Sequence, residues 1–119
     1  MQHSQRQVGP VTVMTLAGRL VAEDVPALRA MMTAALSLGQ RRIVLDLGDL
    51  AYLDSAALGE LVACQLRASR AGAPLRLAAV EGRLKDLLHV TRLITVFDTH
   101  DTVAAAVRAF TERKLPIRL

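Results

Sequence analysis

Apolar residues recur along the chain in two rhythms, a spacing of two that suits strands and a spacing of three to four that suits helices. Val11-Thr12-Val13-Met14-Thr15-Leu16 is rich in β-formers and follows the turn pair Gly9-Pro10, so the first ten residues are expected to pair back on it as an edge strand. After Gly18-Arg19-Leu20, the segment Glu23-Asp24-Val25-Pro26 suits the first turn of a helix, and Val25, Leu28, Met32, Ala35 and Leu36 repeat at helical spacing before Gly39. Ile43, Leu45 and Leu47 alternate with Val44 and Asp46, a strand largely buried on both faces.

A helix starting near Ser55 is expected to bury Leu58, Leu61, Val62 and Leu66 and to end at Ala71-Gly72. Ala73-Pro74 resets the chain for a strand from Leu75 to about Val80. A shorter helix follows with Leu84, Leu87 and Leu88 inward, then a brief strand over Thr95-Val96-Phe97-Asp98. Asp101 is placed to cap a last helix whose inner face is Val103, Val107 and Phe110. Strands and helices alternate through short loops, which predicts one α/β domain over residues 1–113. Its four- to five-stranded mixed sheet starts with a β-hairpin and is packed with about four helices through right-handed crossovers. Lys114 to Leu119, containing Pro116, reads as a C-terminal tail.

A length of 119 residues suits one core and not two. Hydrophobic residues are 52% of the chain but aromatics only 3%, so aliphatic side chains and methionine must build that core. The net charge of +4 comes mainly from arginines dispersed along the chain. Nucleic-acid binding would want a concentrated basic face with aromatic platforms, and neither is present in the sequence. Cys64 is the single cysteine, which excludes an intrachain disulfide and a CxxC pair and fits a reducing compartment. Met1 to Pro10 has no apolar signal core, and no apolar run nears the roughly 18 residues of a spanning helix. A cytoplasmic protein without membrane contact is expected.

Asp54-Ser55-Ala56-Ala57-Leu58-Gly59-Glu60 carries the most informative chemistry, because it sets a serine hydroxyl where a strand turns into a helix. As the last residue before that helix, Ser55 is expected to cap it, which contributes about 0.5–2 kcal/mol. Phosphorylation there would put roughly −1.5 to −2 charges at the positive helix end, a position the fold tolerates. Ala56, Gly59 and Ala63 share a helix face left nearly flat, which is either a docking surface or an ordinary solvated face. Glu60, Arg67 and Arg70 are read as continuing it. Gly59 costs up to about 1 kcal/mol relative to alanine within a helix, and a close-approaching partner would explain it.

Other chemistries find fewer supports. Asp54 and Asp46 are placed to accept loop N–H groups. A receiver domain would need an acidic pair after an earlier strand and a lysine after the last, and neither Lys85 nor Lys114 stands there. His3, His89 and His100 are dispersed, without metal-ligand spacing. Ser55 lacks the flanking glycines of a nucleophile elbow, and Cys64 lies within an amphipathic helix as a packing residue. No convergent acid, base and nucleophile set emerges, so neither an enzyme nor a cofactor is expected.

Over nearly the whole chain these residues resemble the STAS domain of bacterial anti-sigma factor antagonists, whose signature reads Asp-Ser-Ser/Thr-Gly-Leu-Gly. Asp54, Ser55, Leu58 and Gly59 match it, while Ala56 and Ala57 replace the second hydroxyl residue and the first glycine. The resemblance implies that Ser55 is the phosphorylated serine. It implies a cycle in which the unphosphorylated antagonist binds an anti-sigma factor that is also a serine kinase, supplying ATP and Mg²⁺, and a metal-dependent serine phosphatase resets it. Where the family often carries an aspartate near the partner interface this chain has Val21, and Glu23 or Asp24 stands in reach of that role. The implied partner surface is Asp54, Ser55, Ala56, Ala57, Leu58, Gly59, Glu60, Ala63 and Arg67 with Val21, Glu23 and Asp24. A weak homodimer is a further expectation. The family also includes phospholipid-transport subunits, stressosome components and anion-transporter tails, so a constitutive scaffold or transport subunit stands as the alternative.

Overall fold

A hairpin opens the chain: Gln2–Val8 (β1) and Val11–Leu20 (β2) pair antiparallel, from Gln2 opposite Ala17 to Val8 opposite Val11. Gly9 makes the tight link at φ 58°, a value that costs glycine nothing. The computed structural model describes residues 1–111. A 3₁₀ turn, Ala22–Asp24, leads into α1 (Val25–Ser37), followed by β3 (Ile43–Leu53), α2 (Ser55–Arg70), β4 (Arg76–Ala78) and α3 (Gly82–Val90). A second 3₁₀ turn, Leu93–Thr95, precedes β5 (Asp98–His100) and α4 (Val103–Thr111). The sheet order is β1-β2-β3-β4-β5, with every pair after the hairpin parallel. The expected mixed α/β sheet is therefore present, with five strands and four α-helices among the described residues.

Neighbouring residues on each central strand serve opposite faces, as the strand period of two requires. Met14, Leu45 and Leu77 join one apolar cluster with Leu28 and Met32 of α1 and Leu61 of α2, while Val13, Val44 and Ala78 join another with Ala106 of α4. Each fully buried leucine or methionine in the larger cluster contributes about 1.5–3 kcal/mol, so this layer anchors the helices. The start of α2 rests on it through Ala57 and Leu58.

Several boundaries differ from the sequence reading. β4 stops at Ala78 because Ala79 adopts φ 59°, and Leu75 gives its N–H to Gln65 Oε1 at 2.8 Å instead of to a strand. The last strand lies at Asp98–His100 rather than over Thr95–Asp98, since Leu93–Thr95 winds into the 3₁₀ turn and the Val96 carbonyl accepts from Gln65 Nε2 at 3.2 Å. One glutamine thus holds the approaches to both β4 and β5. The α4 cap is Thr102, whose Oγ1 accepts the Ala105 N–H at 3.0 Å, and not Asp101. α2 ends as expected, with Gly72 at φ 76° and the Ala73 N–H returning to the Ala68 carbonyl at 2.8 Å. On that helix Leu66 is 49% exposed, facing outward, while Val62 is half-buried at the margin of the core cluster. The expected tail at 114–119 lies outside the described residues.

Candidate functional site

The turn from β3 into α2 is held by Asp54. Its extended backbone (φ −93°, ψ 174°) ends the strand, and its carboxylate caps α2 through Oδ1, which accepts the Ala57 N–H at 2.9 Å. The second oxygen accepts the Ala22 N–H at 2.9 Å, and the Asp54 N–H is donated to the Leu20 carbonyl at 3.2 Å. The cap is therefore Asp54 and not Ser55. A carboxylate can take two N–H groups at once and its charge is favoured at the positive end of α2, so it outcompetes a hydroxyl one residue later.

Ser55 is released from structural duty. It is the first residue of α2, exposed, and its hydroxyl makes no hydrogen bond to another described residue. The reach from Asp54 to Ala22 also sets the Val21–Asp24 turn beside α2. Within that turn Val21 is half-buried and Glu23 exposed, and Asp24 Oδ2 accepts the Val21 N–H at 2.9 Å. That backbone hydrogen bond, outweighing burial, holds the Asp24 carboxyl below its ordinary value, with the Met1 amino group 3.2 Å from its other oxygen. Val21, Asp24, Asp54 and Ser55, far apart in sequence, thus form one surface.

Along α2 the expected flat face is partly present: Ala56 and Gly59 are exposed, Ala63 is half-buried, and exposed Leu66 extends the strip. A side-chain carbon built at Gly59 would meet no atom within 4 Å, so nothing inside the protein demands glycine there. Three expected contact residues do not belong to this face. Ala57 is fully buried and Leu58 is 8% exposed, both packed in the core as supports of the turn. Ala57 lies in ordinary helical backbone, so the family's glycine is not needed for its conformation.

Glu60 departs most from expectation, being only 4% exposed. It lies on the buried side with Ala57, Leu61 and Cys64, where Arg29 Nη2 of α1 reaches its Oε1 at 2.9 Å and Arg67 Nη2 holds its Oε2. Burial pushes the Glu60 carboxyl up, but hydrogen bonds from Arg29 and Arg67 outweigh it and leave the group below the ordinary carboxylate value. Arg29 and Glu60 clamp α1 to α2, with Arg67 holding the same carboxylate from within α2, so the Glu60 side chain does not line the exposed face. The periodic signal was in the sequence, since Glu60 follows Ala57 by three and precedes Cys64 by four.

Cys64 Sγ lies 3.5 Å from Glu60 Oε2, and burial with that neighbouring carboxylate pushes the thiol up to about 12. It stays protonated at neutral pH and is no nucleophile. Among the described residues no group of three His, Cys, Asp or Glu could hold a metal, and no helix is long and apolar enough to cross a membrane. Sequence reasoning missed Tyr52, which lies beneath the Arg19 guanidinium at 4.4 Å, three residues before Ser55. The strand register, pairing Arg19 with Tyr52, is what brings them together.

This arrangement can present a free hydroxyl on a rigid, positively polarised helix end beside a flat surface. Residues 3–98 match the family model described as "Mlab, STAS domain". A curated relative from Bordetella bronchiseptica, BtrV, a proposed anti-sigma factor antagonist, is 29% identical over 112 residues, covering 92% of this chain and 95% of BtrV. A Thermotoga maritima structure of a proposed anti-sigma factor antagonist superposes with a TM-score of 0.85 at 22% identity, over 92% of this chain and 95% of that one. The phosphorylated form of the Bacillus cell fate determinant SpoIIAA gives a TM-score of 0.72 at 17% identity, over 92% and 99% of the two chains. With most of its length matched by the family model and its fold shared with these structures, the chain belongs to the STAS domain family.

Proposed function

We propose that this protein is an anti-sigma factor antagonist switched at Ser55: it binds an anti-sigma factor while the hydroxyl is free, releasing a sigma factor, and lets go once Ser55 is phosphorylated. The exposed hydroxyl of Ser55, free of hydrogen bonds to other described residues at the N-terminus of α2, carries this reading. A relative of the same fold has been solved in a phosphorylated form, which supports it.

In the transfer, Ser55 Oγ attacks the γ-phosphorus of ATP bound with Mg²⁺ on the anti-sigma factor kinase, the bond to ADP breaks, and the hydroxyl proton passes to a kinase base. A metal-dependent serine phosphatase reverses this with water, giving inorganic phosphate. The antagonist contributes the nucleophilic oxygen and no catalytic group of its own. A phosphoryl dianion at the N-terminus of α2 leaves the fold standing, whereas the same charge buried against a partner costs about 2–5 kcal/mol of affinity, roughly thirty-fold or more. The cycle is cytoplasmic in this reading, with no nucleic acid or membrane bound directly.

Incubation with the purified cognate anti-sigma factor and Mg-ATP, followed by peptide mapping, tests it. Phosphate on Ser55 is expected, and phosphate on another residue contradicts it. A constitutive scaffold or transport subunit using the same face would bind its partner equally well as wild type and as Ser55→Asp.

A further inference from the structure

β3 is far longer than the strand beside it. β4 pairs only with Val44, Leu45 and Asp46, while β2 accompanies β3 on its other side as far as Leu53. From Leu47 to Leu53, then, the edge of β3 that faces away from β2 has no strand on it among the described residues. The Gly48 N–H is taken by Asp46 Oδ1 at 3.1 Å, and the stretch borders a groove of about 710 Å³ whose far wall is α3.

Leu50, Ala51, Tyr52 and Leu53 all line this groove consecutively. A strand shows alternate residues to anything lying on its face, so four in succession mean that the groove runs along its backbone edge. Across it stand Leu84, Leu87 and Val90, the last 82% exposed, with the charged Glu81, Arg83 and Asp86 also lining the groove. Open strand edges are ordinarily blunted with charge, proline or polar side chains. β1, at the sheet's outer edge, is blunted in this way by Gln2, His3, Ser4, Gln5, Arg6 and Gln7, all exposed. The Leu50–Leu53 edge has neither charge nor proline, is apolar, and runs directly into Asp54 and Ser55.

We infer that this edge is a strand-addition site: an extended segment of the anti-sigma factor pairs with β3 between Gly48 and Leu53, its alternate apolar side chains against Leu84, Leu87 and Val90 of α3. The inference rests on the proposed function and extends the partner surface from Ser55 to the opposite side of the β3 terminus. The unpaired donors and acceptors of a strand edge select an extended backbone, and the leucines across the groove select apolar side chains.

The test uses the full chain and the purified cognate anti-sigma factor. Ala51→Trp fills the groove, and Val90→Arg charges its far wall at an exposed helix end, so both variants should keep the wild-type melting temperature. Each is expected to weaken binding at least ten-fold, and hydrogen exchange at residues 48–53 of the wild type should slow in the complex. Affinity within two-fold of wild type for either variant, or edge amides exchanging as fast in the complex as in the free chain, overturns the inference while leaving the Ser55 reading intact. Protection already complete in the free chain assigns the edge to this chain itself and also overturns it. A wild-type chain that binds no anti-sigma factor fails the parent reading and takes this one with it.

Discussion

The Asp54 carboxylate accepts the Ala22 N–H at 2.9 Å across 32 positions of sequence, and its other oxygen caps α2 through Ala57 at 2.9 Å. One side chain therefore joins the exit of β2 to the entry of α2 and holds the Val21–Asp24 turn beside Ser55. Asp54→Ala should destabilise the fold by about 1–3 kcal/mol, the sum of a lost cap and an orphaned loop N–H. Asp54→Asn, which keeps an acceptor oxygen, should cost less than about 1 kcal/mol. Urea denaturation checks both, and equal losses for the two would refute the dual role.

Glu60 offers a second test because its buried carboxylate joins two helices. Breaking a buried pair can cost about 3–5 kcal/mol, but Arg29 is 58% exposed and Arg67 35%, so solvent takes up part of the loss and Glu60→Gln should cost about 2 kcal/mol at neutral pH. The carboxyl is held below 4.5 in the folded chain, so the unfolded chain binds the proton more readily. The Glu60 contribution is thus complete above about 4.5 and is lost as pH falls through the lower folded value. Wild type and Glu60→Gln should converge in stability across that acid range, as measured by denaturation at stepped pH.

His100 titrates in the other accessible window. Burial first, and then the Arg76 guanidinium, whose Nη1 lies 3.2 Å from Nε2, hold the imidazole below 6.5, against weaker support from Asp98 and Asp101. The unfolded chain takes up the proton first, so stability should fall as pH drops below about 6.5. His100→Gln should flatten that slope, and an unchanged slope would exclude this histidine as its source.

Gly59 separates folding from docking. With nothing within 4 Å of an added methyl group, Gly59→Ala should stabilise the chain by up to about 1 kcal/mol, read as a raised melting temperature. Gly59→Arg should leave stability near wild type yet weaken anti-sigma factor binding about ten-fold. Unchanged affinity would mean that no partner approaches that face.

Periodicity made the fold legible. The alternation at Val13-Met14 and Val44-Leu45 and the leucine spacings of α1 and α2 correspond to the two core clusters observed. Boundaries of β4 and β5 were not legible, because they depend on the Gln65 side chain bonding Leu75 and Val96 from a neighbouring helix, and on Ala79 taking a left-handed conformation. Long-range hydrogen bonds of this kind have no local spacing. At the site, sequence placed Asp54 as an acceptor of loop N–H groups, as found at Ala22, and Ala56 and Gly59 on an exposed face, but gave the helix cap to Ser55 because both residues are good caps. Glu60 was misplaced because a charged residue is ordinarily solvated, and only the convergence of Arg29 from α1 and Arg67 stabilises it inside.

The affinity of the purified anti-sigma factor for this chain before and after stoichiometric phosphorylation of Ser55, measured by calorimetric titration, tests the central claim most directly. A loss of roughly thirty-fold or more is expected, with the melting temperature of the phosphorylated chain close to that of the unmodified one. Equal affinity for the two forms would contradict it.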